Sequence, residues 1–266
     1  MTSFLKFQNS RISYKVYGEK NEKTVILLHG YLESIEIWNV FSKELAKTFK
    51  VICIDIPGHG KSDILNENQT FEDIADLFFS FSNSLSIEKF YLIGHSMGGY
   101  ATLAFAKKYP EKLSGFCLFH STSFADSTEK KLARNKEIDL VKKGKKELIC
   151  SVNIPNAFAE KNLISFKENV QIAIDIAKNI SDIGIIVALE AMKKRADMTD
   201  FLSYTNLPFL LILGGLDNYI SYENVGLKIK LPINGKLVCL ENSGHMGFIE
   251  EKEESLKIIT QFINLN

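Results

Sequence analysis

Hydrophobic and polar residues alternate only near the start of the chain. Residues 3–8 and 12–17 alternate in this way, and the turn-forming stretch GEKNEK follows them. An alternating pattern is typical of a strand that buries one face. We therefore predict an antiparallel hairpin at the edge of a sheet.

Further along the chain the hydrophobic runs are short and continuous, which favours strands that are buried on both faces. Helix-like segments separate these runs, and the alternation predicts a doubly wound α/β sheet, mostly parallel and eight-stranded. The six predicted strands are VILLH (25–29), VICID (51–55), FYLIG (90–94), GFCLFH (115–120), FLLIL (209–213) and KLVCL (236–240). The predicted helices are 37–47, 71–85, 97–109, 223–229 and 251–263.

One region breaks the alternation. Residues 121–204 contain charged helical patterns and no convincing strand. An all-helical block inside a βα series is expected to lie over the carboxyl edge of the sheet, where such folds bind ligands. We predict a helical lid at 121–204, inserted into a core formed by residues 1–120 and 205–266.

Composition narrows the functional classes. The chain has 266 residues, of which 45% are hydrophobic, as expected for one substantial domain. Its 32 basic residues balance its 32 acidic ones, so we expect neither nucleic acid nor a membrane as a partner. The N-terminus resembles no export signal and no apolar run could span a bilayer, which favours a cytoplasmic protein. The four cysteines are too far apart for a metal site of the Cys-x-x-Cys kind.

The strongest chemical motif is GHSMGG, at residues 94–99, between a predicted strand and a predicted helix. In that setting, Gly-x-Ser-x-Gly forms a strained turn that lifts the serine hydroxyl above the edge of the sheet. The flanking glycines are needed because a Cβ there would clash with neighbouring backbone. Ser96 is therefore the candidate nucleophile.

A serine nucleophile needs a base, and the base needs an acid to orient it. His245 lies in the loop ENSGHMGF after the last predicted strand, and Asp217 directly follows the strand FLLIL. Both positions are at the same carboxyl edge of the sheet as Ser96. We predict a triad of Ser96, Asp217 and His245, with Asp126 as the alternative acid.

An acyl-transfer site also needs hydrogen-bond donors for the oxyanion. The backbone N–H of Met97, next to the serine, is one candidate. The other is the backbone N–H of Tyr31, in the turn HGYLES after the first buried strand. The Tyr31 side chain would then be free to line a substrate pocket.

These landmarks resemble the α/β-hydrolase fold family, in particular its lidded serine esterases, lactonases and haloperoxidase-like members. The resemblance covers about residues 20–264 and rests on HG at Gly30, DIPGHGKSD at 55–63, GHSMGG, the GxxD that ends at Asp217, and SGHMGFIE around His245. It implies a Ser-Asp-His triad, hydrolysis through an acyl-enzyme, and no metal or organic cofactor.

The sequence thus predicts a hydrolase of small to medium carboxylic esters or lactones, either a monomer or a small homo-oligomer. Two alternatives stay open. A carbon–carbon bond hydrolase or retro-ene lyase of the same fold would use Arg134 or Arg195 of the lid to bind a carboxylate. A ligand-sensing module with slow turnover would carry the same residues.

Overall fold

The computed structural model describes residues 2–266 and contains one eight-stranded sheet. The strands are β1 (Thr2–Phe7), β2 (Ser10–Tyr17), β3 (Thr24–Leu28), β4 (Lys50–Ile54), β5 (Phe90–His95), β6 (Leu113–Phe119), β7 (Phe209–Gly214) and β8 (Gly235–Leu240). Their order across the sheet is β1-β2-β4-β3-β5-β6-β7-β8.

Of the eight strands described, only β2 runs opposite to the rest. β1 pairs antiparallel with β2, and β2 pairs antiparallel with β4, whereas all the other pairings are parallel. Every residue of β3, β5 and β7 is buried, because helices cover both faces of the sheet. The predicted edge hairpin and the doubly wound, mostly parallel sheet are therefore confirmed.

Ten α-helices accompany the sheet within residues 2–266. They are α1 (Asn39–Leu45), α2 (Phe71–Ser84), α3 (Met97–Lys108), α4 (Thr128–Lys142), α5 (Lys146–Ala157), α6 (Lys167–Lys178), α7 (Asp182–Lys194), α8 (Thr199–Tyr204), α9 (Gly247–Glu250) and α10 (Lys252–Leu265). None of the helices in this part of the chain is both long and apolar enough to cross a membrane.

Local sequence explains where some of these helices begin. Thr70 and Asp73 form a reciprocal capping box at the start of α2. The predicted helix at 37–47 is preceded by a 3₁₀ turn, Ile35–Trp38, and Trp38 is a buried packing residue. The predicted helix at 223–229 is instead a single π turn, Tyr222–Gly226.

Helices α4 to α8 all lie between β6 and β7, and no strand occurs among them. We call this segment, residues 121–204, the helical insertion. Its helices pack mainly on each other, α4 against α7 and α5 against α6. The sequence patterns did not identify α5 or α8. That the insertion acts as a lid stays a prediction.

Candidate active site

Ser96 occupies the sharp turn between β5 and α3. Its φ is +50°, in the left-handed region that a non-glycine residue rarely adopts. A Cβ at Gly94 would lie 2.3 Å from the Gly98 carbonyl oxygen, and one at Gly98 would lie 2.6 Å from that of Leu28. The two glycines are therefore required for the close approach of backbone that makes this turn.

Neighbouring groups anchor the strained turn. The Ser96 N–H donates to the Phe119 carbonyl at 2.9 Å, and the Ser121 hydroxyl donates to the Ser96 carbonyl at 2.7 Å. Both partners come from the carboxyl end of β6 and the residues that follow it. The Ser96 backbone is thereby held while its side chain stays partly exposed.

Asp217 and His245 meet at the same sheet edge. His245 Nδ1 lies 2.7 Å from Asp217 Oδ2, and the other carboxylate oxygen accepts hydrogen bonds from the N–H groups of Tyr219 and Ile220. Burial alone would raise the pKa of Asp217, but its interactions with the imidazoles of His245 and His120 outweigh burial and hold the pKa well below its usual range. The carboxylate is therefore ionised, and it holds the His245 proton on Nδ1 and leaves Nε2 as an acceptor.

A second imidazole contacts the same carboxylate, and the sequence analysis did not identify it. His120 directly follows β6, is fully buried and has a φ of +48°. Its Nε2 accepts a hydrogen bond from the Gly247 N–H, so its proton is on Nδ1, which lies 3.3 Å from Asp217 Oδ2 but is not aligned as a hydrogen bond. Burial lowers the pKa of His120 to about 4 and keeps the ring neutral. Apart from its position after a strand, nothing in the sequence indicates that His120 contacts the acid.

His95, Glu33 and Gly30 form a buried cluster beside this site. His95 Nδ1 lies 3.1 Å from Glu33 Oε2, and the same oxygen accepts the Gly30 N–H at 2.6 Å. The other nitrogen, Nε2, donates to the His245 carbonyl at 2.8 Å. Burial would lower the pKa of His95, but the charge of Glu33 raises it above its usual value. Because Nε2 faces a carbonyl oxygen and Nδ1 faces a carboxylate, both ring nitrogens are placed as donors, as in an imidazolium.

Two backbone N–H groups are the candidate donors for an oxyanion. Among residues 2–266, the N–H groups of Tyr31 and Met97 donate no hydrogen bond to another protein group. Met97 is the first residue of α3, where N–H groups have no partner within the helix. Both groups therefore have free donor capacity for an anion.

One cavity of about 220 Å³ is lined by three of the candidate residues, Ser96, Tyr31 and His245, whereas Asp217 and Met97 are not among its lining residues. Ser96 and His245 face the same cavity. Within residues 2–266, however, the Ser96 hydroxyl makes no hydrogen bond to the His245 imidazole. Most of the wall is apolar or aromatic. Besides Ser96 and His245, the lining includes Tyr31, Tyr219, Met192 and Glu137. The apolar residues that the helical insertion contributes to this wall are Ala133 of α4, Ile154 and Ala157 of α5, and Met192 of α7.

Asp126, the alternative acid, does not contact His245. Its side chain is fully buried and forms ion pairs with Arg134 and Arg195. Burial would raise the pKa of Asp126, but these two guanidinium groups lower it below its usual value. Asp126 therefore joins α4 to the segment after α7, and both arginines already have a carboxylate partner.

His120, Asp217 and His245 are also close enough to share a metal ion, as the only such group within residues 2–266. Both imidazoles present Nδ1 to the same carboxylate oxygen. That arrangement places two N–H groups against one carboxylate oxygen, and both nitrogens would have to lose their protons before they could bind a metal ion there.

The chain resembles known proteins over almost its whole length. A family model described as the α/β-hydrolase fold matches residues 23–141. Monoacylglycerol lipase ABHD6 of Bos taurus is 21% identical over 274 residues, which cover 98% of this chain and 81% of that protein. A putative 2-succinyl-6-hydroxy-2,4-cyclohexadiene-1-carboxylate synthase of Bacillus subtilis is 26% identical over 260 residues, 92% of each chain. A thermophilic esterase from Thermogutta terrifontis superimposes with a TM-score of 0.92 and 25% identity, over 99% of this chain and 98% of the esterase.

The sheet order, the strained serine turn and these similarities all indicate the same fold. The chain has the α/β-hydrolase fold. Its relatives include a lipase and an esterase, and they support a hydrolase.

Proposed function

We propose that this protein is a serine hydrolase that cleaves small to medium carboxylic esters or lactones through an acyl-enzyme. One observation carries the proposal. Ser96, on a strained turn, shares a cavity with His245, whose Nδ1 is held by the buried carboxylate of Asp217. A nucleophile, a base and an orienting acid at one cavity are the parts that acyl transfer needs.

In the first half-reaction, the Ser96 hydroxyl attacks the substrate carbonyl carbon while His245 Nε2 takes its proton. The carbonyl oxygen becomes an anion and accepts hydrogen bonds from the Tyr31 and Met97 N–H groups. The bond to the leaving alcohol then breaks, and His245 returns the proton to that alcohol. Asp217 keeps the imidazole in the required tautomer and stabilises its charged form.

In the second half-reaction, water attacks the acyl-enzyme. His245 Nε2 takes a proton from the water, the same two N–H groups hold the second oxyanion, and the carboxylic acid is released as Ser96 regains its proton. Since a lactone carries its alcohol on the acyl chain, its opening follows the same steps and yields a hydroxy acid.

A carbon–carbon bond hydrolase or lyase is the second candidate, favoured by the similarity to the putative Bacillus subtilis synthase. This candidate expects a free arginine for a substrate carboxylate. Arg134 and Arg195 both bind the buried Asp126 instead, so the geometry supports an ester or lactone better. Turnover of a vinylogous diketone without hydrolysis of any simple ester would reverse this preference.

The test is Ser96→Ala, measured with p-nitrophenyl acetate and with a fluorophosphonate probe. We expect kcat/KM to fall by at least about 10⁴-fold, because the nucleophile is lost. The probe should label the wild type on the peptide that contains Ser96 and leave the variant unlabelled. Ser84→Ala, an exposed serine of α2, is the matched control and should keep both properties. Retention of most activity by a folded Ser96→Ala protein contradicts the proposal.

A further inference from the structure

The cavity wall contributed by the helical insertion is not uniformly apolar. Glu137 of α4 and Asn153 of α5 line the cavity among mainly apolar and aromatic neighbours. Glu137 Oε1 accepts two hydrogen bonds, from the Tyr31 hydroxyl at 3.0 Å and from Asn153 Nδ2 at 2.9 Å. The polar groups thus converge on a single carboxylate oxygen.

The other oxygen of Glu137 has no such partner. Within residues 2–266, no protein group donates a hydrogen bond to Oε2, and this atom is not sealed off from the cavity or from solvent. Burial raises the pKa of Glu137 above its usual value, although the hydrogen bond from Tyr31 and the charge of Arg134 lower it. An accessible carboxylate oxygen in a mainly apolar wall can accept a hydrogen bond from a bound ligand, and it loses its water without replacement if the ligand has no donor there.

The charges around Glu137 restrict what that donor can be. Lys130 lines the same cavity from the same helix and, within residues 2–266, forms no ion pair with a carboxylate, so an ammonium group would meet its like charge. An anionic substrate would meet Glu137 itself, while the Arg134 guanidinium is already bound to Asp126. A neutral hydroxyl or amide N–H is the donor that meets no like charge.

We propose that Glu137 is a specificity residue, whose Oε2 accepts a hydrogen bond from a neutral hydroxyl or amide N–H on the ester or lactone substrate. This inference rests on the proposed function and narrows its substrate class. A site that holds a buried acceptor discriminates against an analogue without the donor, because the acceptor is then left unpaired. An apolar pocket alone discriminates only weakly between such analogues.

Matched ester pairs test the inference. Methyl ω-hydroxyalkanoates of increasing chain length are compared with esters that carry a methyl group in place of the hydroxyl. A second series compares ω-hydroxyalkyl acetates with alkyl acetates. In at least one of the two series, we expect the wild type to have a higher kcat/KM for the hydroxy ester than for its partner at some chain length. In Glu137→Leu, that ratio should fall by at least about tenfold.

Two further variants make the test specific. Glu137→Gln is nearly isosteric and keeps an acceptor oxygen without the charge, so the ratio should fall by roughly fivefold. Glu129→Leu removes an exposed carboxylate from the same helix and should leave the ratio unchanged. If Glu137→Leu does not fold, Glu137→Gln decides the question.

The inference is overturned if the wild type shows no hydroxy preference in either series, or if both Glu137 variants keep the wild-type ratio. Glu137 would then only connect α4 to the Tyr31 loop. The same substrates separate this failure from failure of the proposed function. Loss of all ester hydrolysis in Ser96→Ala supports the proposed function whatever the ratio, and its retention contradicts that function whatever the ratio.

Discussion

The molecule contains two buried histidine–carboxylate pairs side by side, His245 with Asp217 and His95 with Glu33. The two imidazole ring centres are 4.9 Å apart. They differ in what the second nitrogen does. His95 Nε2 donates to the His245 carbonyl, whereas His245 lines the cavity and His95 does not.

This difference distinguishes His95, which has a structural role, from His245, which is the candidate base. His95 has both nitrogens occupied as donors, by a carboxylate and a carbonyl, so it has no free site to accept a proton. His245 has one nitrogen oriented by Asp217 and one available at the cavity. A histidine–carboxylate pair is therefore a functional signal only when the outer nitrogen is open to the cavity.

The largest predicted effect comes from a substitution that disrupts the His245–Asp217 pair. Asp217→Asn should lower kcat by about 10⁴-fold with little change in KM, because an amide at Oδ2 can donate and then favours the wrong tautomer of His245. Steady-state kinetics with p-nitrophenyl acetate measures the change. Asp200→Asn, an exposed aspartate of α8, is the matched control. A loss smaller than about tenfold in a folded Asp217→Asn protein would contradict the assigned role.

The next effect concerns the pair that contains His95. Glu33→Gln should lower the free energy of unfolding by roughly 3 kcal/mol, since it leaves a buried imidazolium without its counter-charge. Denaturant unfolding measures this. Activity per folded molecule should fall far less than in Asp217→Asn. A Glu33→Gln protein that is fully stable but as inactive as Asp217→Asn would reverse the roles of the two pairs.

The stability effect of Glu33→Gln should also depend on pH. The folded-state pKa of His95 is raised above its unfolded value of about 6.5, so its contribution is complete below that pH and is lost as the pH rises through the folded pKa. The pKa of Glu33 is lowered: burial would raise it, but His95 outweighs burial. The Glu33 contribution is therefore present above about pH 4.3 and lost as the pH falls through the folded pKa.

The difference in unfolding free energy between wild type and Glu33→Gln should thus be largest between about pH 5 and 6.5 and should shrink toward alkaline pH. Comparing the two proteins is necessary, because burial lowers the pKa of His29, His59 and His120, and these groups destabilise the wild type as the pH falls. A difference that stays constant from pH 6 to pH 9 would show that His95 is not charged.

The sequence predicts those site residues whose positions are determined by strand ends and by glycines. Ser96 follows β5, and Gly94 and Gly98 permit its turn for the steric reason that the motif implies. Asp217 and His245 follow β7 and β8, and parallel strands bring their carboxyl ends to one edge. The position of each residue is a consequence of the sheet, which the hydrophobic pattern already specifies.

The cavity wall formed by the insertion could not be predicted in the same way. Helix–helix packing depends on which face of each helix turns inward, and residues 121–204 carry no motif that fixes it. Glu137 and Asn153 therefore look like ordinary residues of surface helices until α4 and α5 are packed. The contact of His120 with Asp217 depends equally on packing, since a close neighbour of an acid has no sequence pattern.

The smallest predicted effect concerns His120. This residue contacts Asp217 but is not itself part of the His245–Asp217 pair. Two amide substitutions separate its two contacts. His120→Asn places an amide near the position of Nδ1, toward Asp217, and tolerates the positive φ, but loses the acceptor for the Gly247 N–H. His120→Gln can reach the Nε2 position and keeps that acceptor, but loses the Nδ1 donor.

If the close contact of the His120 Nδ1–H group with Asp217 orients the acid, His120→Gln should lower kcat by roughly three- to tenfold more than His120→Asn, because it removes the polar N–H that faces the carboxylate. The acid limb of the kcat/KM profile should also shift upward in pH in His120→Gln, because a carboxylate that loses a neighbouring N–H attracts the His245 proton more strongly. The other groups that pack against the His245 ring are the same in both variants, namely Tyr219 and His95 with its partner Glu33. Thermal unfolding of both proteins separates any strain at the positive φ from the effect on catalysis. Identical pH profiles and equal kcat values in the two variants would show that His120 only fills space behind Asp217.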